Sequence, residues 1–322
     1  MNDGATTLVR RRPPIGEIVT PIWIVLVAVV VIAALLSDRF LSPYNIATVL
    51  QQGVITGIVA LGMTIVLIGG QFDLSTGAVV MMAAVMALLM GPSDPTSVIL
   101  AFTLPILAGA AIGTVNGLAV YGAGANSIVA TIGMQFFVVG AVLALVSGQH
   151  VRADDISAIF SGLALARPLG VPLPVFIFVA LVAALSVLMS RTVFGRHVYG
   201  IGGDVEAARR AGVRVARTGI ATFALSGALA ALSGVIIAAM VGHVDPTAIG
   251  RYEFPALTAA VLGGTSLTGG IGRPADTAAA ILVVAVITNV MTILDYQYPV
   301  QLLVQGVVLT GAVAFYSWRR GH

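Results

Sequence analysis

Stretches without a charged residue recur along the chain at a length that suits a bilayer. Residues 18–37 form one such window between Glu17 and Asp38, and others run over 74–93, 168–190, 218–244, 254–272, 277–294 and 296–318. About 20 apolar helical residues cross a hydrocarbon core roughly 30 Å thick, so each window is long enough for one helix. The window 40–72 predicts one span plus non-helical backbone. The window 95–151 predicts two spans, at about 97–121 and 127–147, parted by Gly122-Ala123-Gly124-Ala125-Asn126. The alternation of a membrane β-barrel is absent from these runs. The pattern therefore predicts an all-α, polytopic transmembrane bundle of about ten spans.

Two segments break the pattern. Gly69-Gly70-Gln71-Phe72-Asp73-Leu74-Ser75-Thr76-Gly77 and Gly263-Gly264-Thr265-Ser266-Leu267-Thr268-Gly269-Gly270 share a Gly-Gly, Leu-[Ser/Thr], Gly arrangement. Irregular backbone is tolerated at membrane depth only inside protein or beside water, and matching interruptions in two halves point to a transport pathway. The alternative is close helix packing at the glycines, with Asp73 or Ser75 capping a helix. The window 254–272 opens on Pro255 and closes on glycines, so it predicts a short or re-entrant helix rather than one straight span.

Composition agrees with a membrane protein. Of 322 residues, 58% are apolar and only 9% charged, with mean hydropathy +1.05, against about 25% charged residues in soluble domains. All 16 basic residues are arginines. Without a lysine the chain lacks the group that a phosphate-binding Walker A loop uses on the β- and γ-phosphates, so it is no P-loop ATPase by itself. With no cysteine it has no disulfide, thiolate–metal site or thiol nucleophile.

Arginine placement predicts orientation, because positive loops stay in the cytoplasm. With Arg10, Arg11 and Arg12 inside, an even number of spans also puts the loop 191–217, Arg273 and Arg319-Arg320 inside, which is 12 of the 16 arginines. Arg39, Arg152, Arg167 and Arg251 fall outside, mostly beside Asp38, Asp154, Asp155 and Glu253. Both termini are thus expected in the cytoplasm. Residues 1–16 form an N-terminal tail, 17–318 a transmembrane domain and 319–322 a C-terminal tail. The first span reads as a retained anchor, since no small-residue cleavage site follows it.

Candidate chemistry is sparse. Gly270-Ile271-Gly272-Arg273-Pro274-Ala275 has the spacing of a dinucleotide fingerprint but no strand before it, so that reading fails. His150, His197, His243 and His322 are scattered and propose no metal site. The polar residues inside spans are Gln51, Gln52, Thr64, Asn116, Asn126, Ser127, Thr131, Gln135, Asn289 and Gln305, none of them charged. Amides and hydroxyls both donate and accept, which suits a neutral hydroxylated solute. Each could equally serve as an interhelical hydrogen bond. The candidate pathway residues are Gln51, Thr64, Asp73, Ser75, Asn116, Asn126, Thr131, Thr265, Ser266 and Asn289, with Asp73 the one carboxylate available to an ion-coupled carrier.

The arginine-rich loop has its own order. Asp204-Val205-Glu206-Ala207-Ala208-Arg209-Arg210 places acids first and bases last, then Gly212, which is the charge order of a short capped helix offered to a protein surface.

Gly202-Gly203-Asp204-x-Glu206-Ala207-Ala208-Arg209-x-x-Gly212-Val213, the run Asp245-Pro246…Tyr252-Glu253…Ala259-Ala260-Val261-Leu262-Gly263-Gly264-Thr265-Ser266, the pair Gly62-Met63-Thr64…Asp73-Leu74-Ser75, and Ala130-Thr131-Ile132-Gly133-Met134 together resemble the permease subunit of ribose-type monosaccharide ATP-binding-cassette importers. The resemblance runs from about residue 40 to the C-terminus. Arg251, Pro255 and Gln71 depart from the family's usual residues. The resemblance implies paired permease subunits, a second copy or a paralogue, in a bacterial inner membrane. It implies separate ATPase subunits carrying ATP and Mg and docking on Gly203, Asp204, Glu206, Ala207, Ala208, Arg209, Arg210 and Gly212. It also implies a periplasmic sugar-binding protein, no cofactor on this chain and no nucleic acid. Two other classes compete: a gradient-driven secondary carrier using Asp73, and an intramembrane enzyme, for which no nucleophile–base or metal constellation is present.

Overall fold

The computed structural model describes residues 21–153, 156–246 and 252–321. Arg10, Arg11, Arg12, Asp154, Asp155, Arg251 and His322 lie outside the described residues.

Each of the windows read from the sequence contains a helix, and 95–151 contains the two expected there. The first helices are α1 (Pro21–Leu36), α2 (Pro43–Ile68), α3 (Thr76–Leu89), α4 (Pro95–Gly117, extended by a π turn over Leu118–Gly122) and α5 (Ser127–Leu145). Between α5 and the next window an unforeseen short helix, α6 (Ala158–Leu165), packs on the bundle, followed by α7 (Leu173–Arg191). The loop 191–217 folds into α8 (Val193–Gly203) and α9 (Val205–Arg210). Then come α10 (Val215–Val241), α11 (Glu253–Leu262), α12 (Pro274–Ile293) and α13 (Tyr298–Gly321). Among the described residues six of these helices, α2, α4, α5, α7, α10 and α12, are long and apolar enough to cross a bilayer. At 14 and 10 residues, α3 and α11 rise only about 21 and 15 Å. The short helix expected within 254–272 is α11.

Local chemistry explains several starts. Ser42 caps α2 through the Asn45 amide with Pro43 next, and Asp94 with Ser97 forms a capping box before α4. Gly242, at φ +72°, ends α10.

The centre of the bundle is α10 against α4, α3 and α2, while α12 and α11 close on the other side of α2 and α1 lies on α12. Glycines set the α4–α10 distance. A β-carbon at Gly113 would overlap the Phe223 carbonyl oxygen, and at Gly109 or Gly227 it would overlap the facing backbone. Gly109, Gly113 and Gly117 therefore form one close-approach face, as small residues at four-residue spacing do in membranes. In contrast α5 and α7 keep most of their surface outside the bundle.

Loops gather at two ends. At one end β1 (Val151–Arg152) pairs antiparallel with β2 (His243–Val244), and the Ser157 amide donates to the Pro92 carbonyl. At the other end the segments 69–75, 199–204 and 263–273 touch.

Candidate functional site

Both glycine-interrupted segments begin with the same helix stop. After α2, Gly70 has φ +78°, its amide donates to Leu67 O at 2.8 Å and the Gln71 amide to Val66 O at 3.2 Å. After α11, Gly264 has φ +84°, its amide donates to Val261 O at 2.8 Å and the Thr265 amide to Ala260 O at 3.0 Å. Each is a Schellman motif, in which the second glycine adopts the left-handed conformation. The repeated Gly-Gly in the sequence is this repeated turn.

Beyond the first stop the chain turns into the bundle, and side chains from three helices hold it. The Phe72 amide donates to Ser127 Oγ at 3.2 Å and the Leu74 amide to Thr131 Oγ1 at 3.1 Å, so one face of α5 replaces the missing helical acceptors. Asp73 lies fully buried between them. Its Oδ1 accepts from Ser75 Oγ at 2.7 Å and the Ser75 amide at 3.3 Å, and its Oδ2 accepts from Ser226 Oγ of α10 at 2.9 Å. Asn116 of α4 donates to Ser75 Oγ at 2.8 Å. The carboxylate thus accepts from its own segment and from α10, as a buried acid requires, while α4 and α5 hold that segment in place. Ser226 was not among the residues singled out from the sequence. A single hydroxyl in a long apolar run gives no signal of its partner.

The second segment is held more locally. The Ser266 amide donates to Ile271 O at 2.9 Å, and the hydroxyls of Ser266 and Thr268 are 2.9 Å apart. Thr265 and Ser266 are buried. The two segments are tied directly, because the Gly270 amide donates to Ile68 O at 2.9 Å.

The remaining candidates do not join this cluster. Thr64 Oγ1 meets Thr277 Oγ1 of α12 at 2.7 Å. Gln51 faces Ala164 O and Met240 Sδ. Asn289 exchanges both amide bonds with Asn45, at 2.8 and 3.0 Å. Asn126 is exposed and caps α5 through the amides of Ile128 and Val129. The structure thus brings Asp73, Ser75, Asn116 and Thr131 together, joins Thr265 and Ser266 to them only through the backbone at Ile68, and places Gln51, Asn126 and Asn289 elsewhere.

The sequence reading of Asp73 as the one carboxylate among the spans is corrected. Glu253, read from the sequence as a loop acid, is buried at the start of α11 and accepts from Gln135 Nε2 of α5 at 3.3 Å. Asp276 is buried in the first turn of α12 and accepts from Trp23 Nε1 at 3.3 Å. An acid near a helix N-terminus is stabilised by the macrodipole, which is why both tolerate burial at those positions. Their place in an apolar helix was legible only from the start points of α11 and α12.

The 191–217 loop forms the expected capped helix. Asp204 accepts from the amides of Glu206 and Ala207 at 2.9 and 3.0 Å, and Glu206 pairs with Arg209 on the exposed face. Gly212 has φ +81° and closes a third Schellman motif with Val213 N to Ala208 O at 3.1 Å. Ala208 is buried, while Glu206, Ala207, Arg209 and Arg210 are not. Directly before α9, α8 buries Val198 and Ile201, and Tyr199 donates its hydroxyl to Gly272 O at 2.7 Å. Burial pushes the Tyr199 hydroxyl above its ordinary pKa, with Arg273 opposing and Asp276 reinforcing the shift.

A bundle of apolar helices with two interrupted segments meeting at one end, and a charged helix standing beside them, is the architecture of a membrane transport subunit. The chain belongs to the family described as branched-chain amino acid transport system / permease component, whose model matches residues 45–313. It is 34% identical to the ribose import permease protein of Escherichia coli (strain K12), over 90% of this chain and 91% of that protein. The same identity holds for the ribose import permease protein of Bacillus subtilis (strain 168), over 88% of each. To the L-arabinose transport system permease protein of Escherichia coli (strain K12) it is 35% identical, over 82% of this chain and 80% of that protein. No solved structure matches the chain.

Proposed function

We propose that this chain is the membrane subunit of an ATP-binding-cassette importer for a neutral monosaccharide of the ribose, xylose or galactose kind. A periplasmic binding protein delivers the sugar, two permease subunits pair in the bacterial inner membrane, and ATP with Mg is bound and hydrolysed on separate subunits. Relatives named for ribose and arabinose support the substrate class. The observation that carries the reading is α9, a six-residue helix capped at both ends, with an exposed charged face and a buried anchor at Ala208. So short a helix has little stability of its own in water, and its caps and anchor hold it ready for a partner. Arginine placement supports a cytoplasmic position for it, on the side where an ATPase would bind. The chain itself has no lysine with which to build a Walker A site.

In this mechanism the bundle supplies a path whose groups are hydroxyls and amides, and the ATPase supplies the work. The Asp73 carboxylate has both oxygens engaged by Ser75 and Ser226, so it serves as an internal fastening rather than an ion carrier. The test is copurification of the ATPase with α9 variants. Glu206→Arg removes the pair with Arg209 and puts a cation at the helix N-terminus, unfavourable by about 0.3–1 kcal/mol. Gly212→Val forces a β-branched residue to φ +81°, a conformation costing it about 1–2 kcal/mol. Both variants should insert normally and lose ATPase binding. Retention of full binding by both would remove α9 as the docking element.

A further inference from the structure

We infer that Gly202, the second-last residue of α8, is the joint through which motion of α9 reaches both interrupted segments at once. The inference rests on the ATP-driven reading above.

Its basis is a place where three backbones meet without side chains between them. A β-carbon on Gly202 would overlap the carbonyl oxygen of Ile68, the last residue of α2, and would lie 2.5 Å from the Gly270 nitrogen. One on Gly269 would lie 2.6 Å from Gly202 O and 2.8 Å from the Gly70 Cα. Gly202 is therefore seated against the Gly270 N–H to Ile68 O bond, the same bond that ties the first segment to the second. The Tyr199 hydroxyl, one turn earlier on α8, grips the second segment again at Gly272 O.

Only Gly203 and Asp204 separate this joint from α9. Side-chain contacts absorb small displacements by changing rotamer, whereas backbone packed on backbone at van der Waals distance has no such slack. A tilt of α8 must carry Ile68 and Gly270 with it. From Ile68 the chain runs through Gly69–Phe72 to the Asp73 fastening on α3, α4 and α10, and from Gly270 it runs to α12. One movement thus reaches elements of both halves of the bundle.

Gly202 and Tyr199 are positioning residues, and the readout is sugar moved per ATP hydrolysed by the complex of permease, ATPase and binding protein in proteoliposomes. A misfolded fraction lowers transport and coupled hydrolysis together and leaves this ratio unchanged, so the ratio separates transmission from stability. Gly202→Ala should lower it at least fivefold in complexes that still assemble. Tyr199→Phe adds no atom and removes one grip, and should lower it about twofold. A ratio equal to wild type in either assembled variant would overturn the joint. If Gly202→Ala does not assemble, Tyr199→Phe decides alone. A wild-type complex that hydrolyses ATP and moves no sugar would instead overturn the proposed function, and the joint with it.

Discussion

Ser226 of α10 and Asp73 of the first interrupted segment are 153 positions apart, yet the serine hydroxyl donates to the carboxylate at 2.9 Å. Both side chains are fully buried. Their bond fixes a long central helix to a non-helical turn, and it fills the second oxygen of an acid whose first is held by Ser75. Removing one donor from a buried acceptor costs about 1–3 kcal/mol. Ser226→Ala should therefore lower the thermal stability of the purified protein by an amount in that range. Asp73→Leu should cost more, because it leaves Ser75 and Ser226 short of a partner. A melting temperature unchanged in Ser226→Ala would show that the bond fastens nothing.

The second expectation concerns the α4–α10 contact. Gly113 admits the Phe223 carbonyl, and nothing lies within 4 Å of a β-carbon built on Gly140 of α5. Overpacking a tight contact costs about 1–3 kcal/mol or more. Gly113→Val should reduce the yield of monodisperse protein on size exclusion, and Gly140→Val should not. Equal behaviour of the two variants would mean that the close approach is dispensable.

Much of this architecture was legible in the sequence, and the reasons are physical. Charge-free windows report the cost of placing ions in hydrocarbon, so each window did contain a helix. The glycine pairs at 69–70 and 263–264 marked where the apolar helices are interrupted, and the acids and bases around Ala207-Ala208 announced a capped helix. What stayed hidden depends on partners distant in the chain. Helix α6 has eight residues between charged flanks and acquires stability by packing on α10, α7 and α4. The four-residue spacing of Gly109, Gly113 and Gly117 marks a close-packed face, but that the partner is α10 shows only once the helices are assembled. The burial of Glu253 and Asp276 follows from where α11 and α12 begin, which hydropathy does not resolve to the residue.

Tyr199 gives an expectation in pH. Its folded pKa is raised, first by burial, so the neutral, donating form is favoured in the fold. The sign is that of a group whose contribution is complete below its unfolded value, about 10, and is lost as pH rises through the folded value. The bond to Gly272 O should be worth about 0.5–1.5 kcal/mol near neutrality. Thermal melts of wild type and Tyr199→Phe should differ by a constant amount between pH 7 and 9. Above about 10 the difference should shrink. A difference that grows with pH would contradict the assignment of Tyr199 as a buried neutral donor.

The central claim is that this subunit moves a neutral sugar only with ATP hydrolysed elsewhere. The direct measurement is uptake of labelled ribose, arabinose, xylose and galactose into proteoliposomes, with this chain alone and with its ATPase and binding protein. The account predicts accumulation of at least one of these sugars only in the complete system with ATP, and none in the chain alone under a pH or sodium gradient. Gradient-driven accumulation by the chain alone would contradict it.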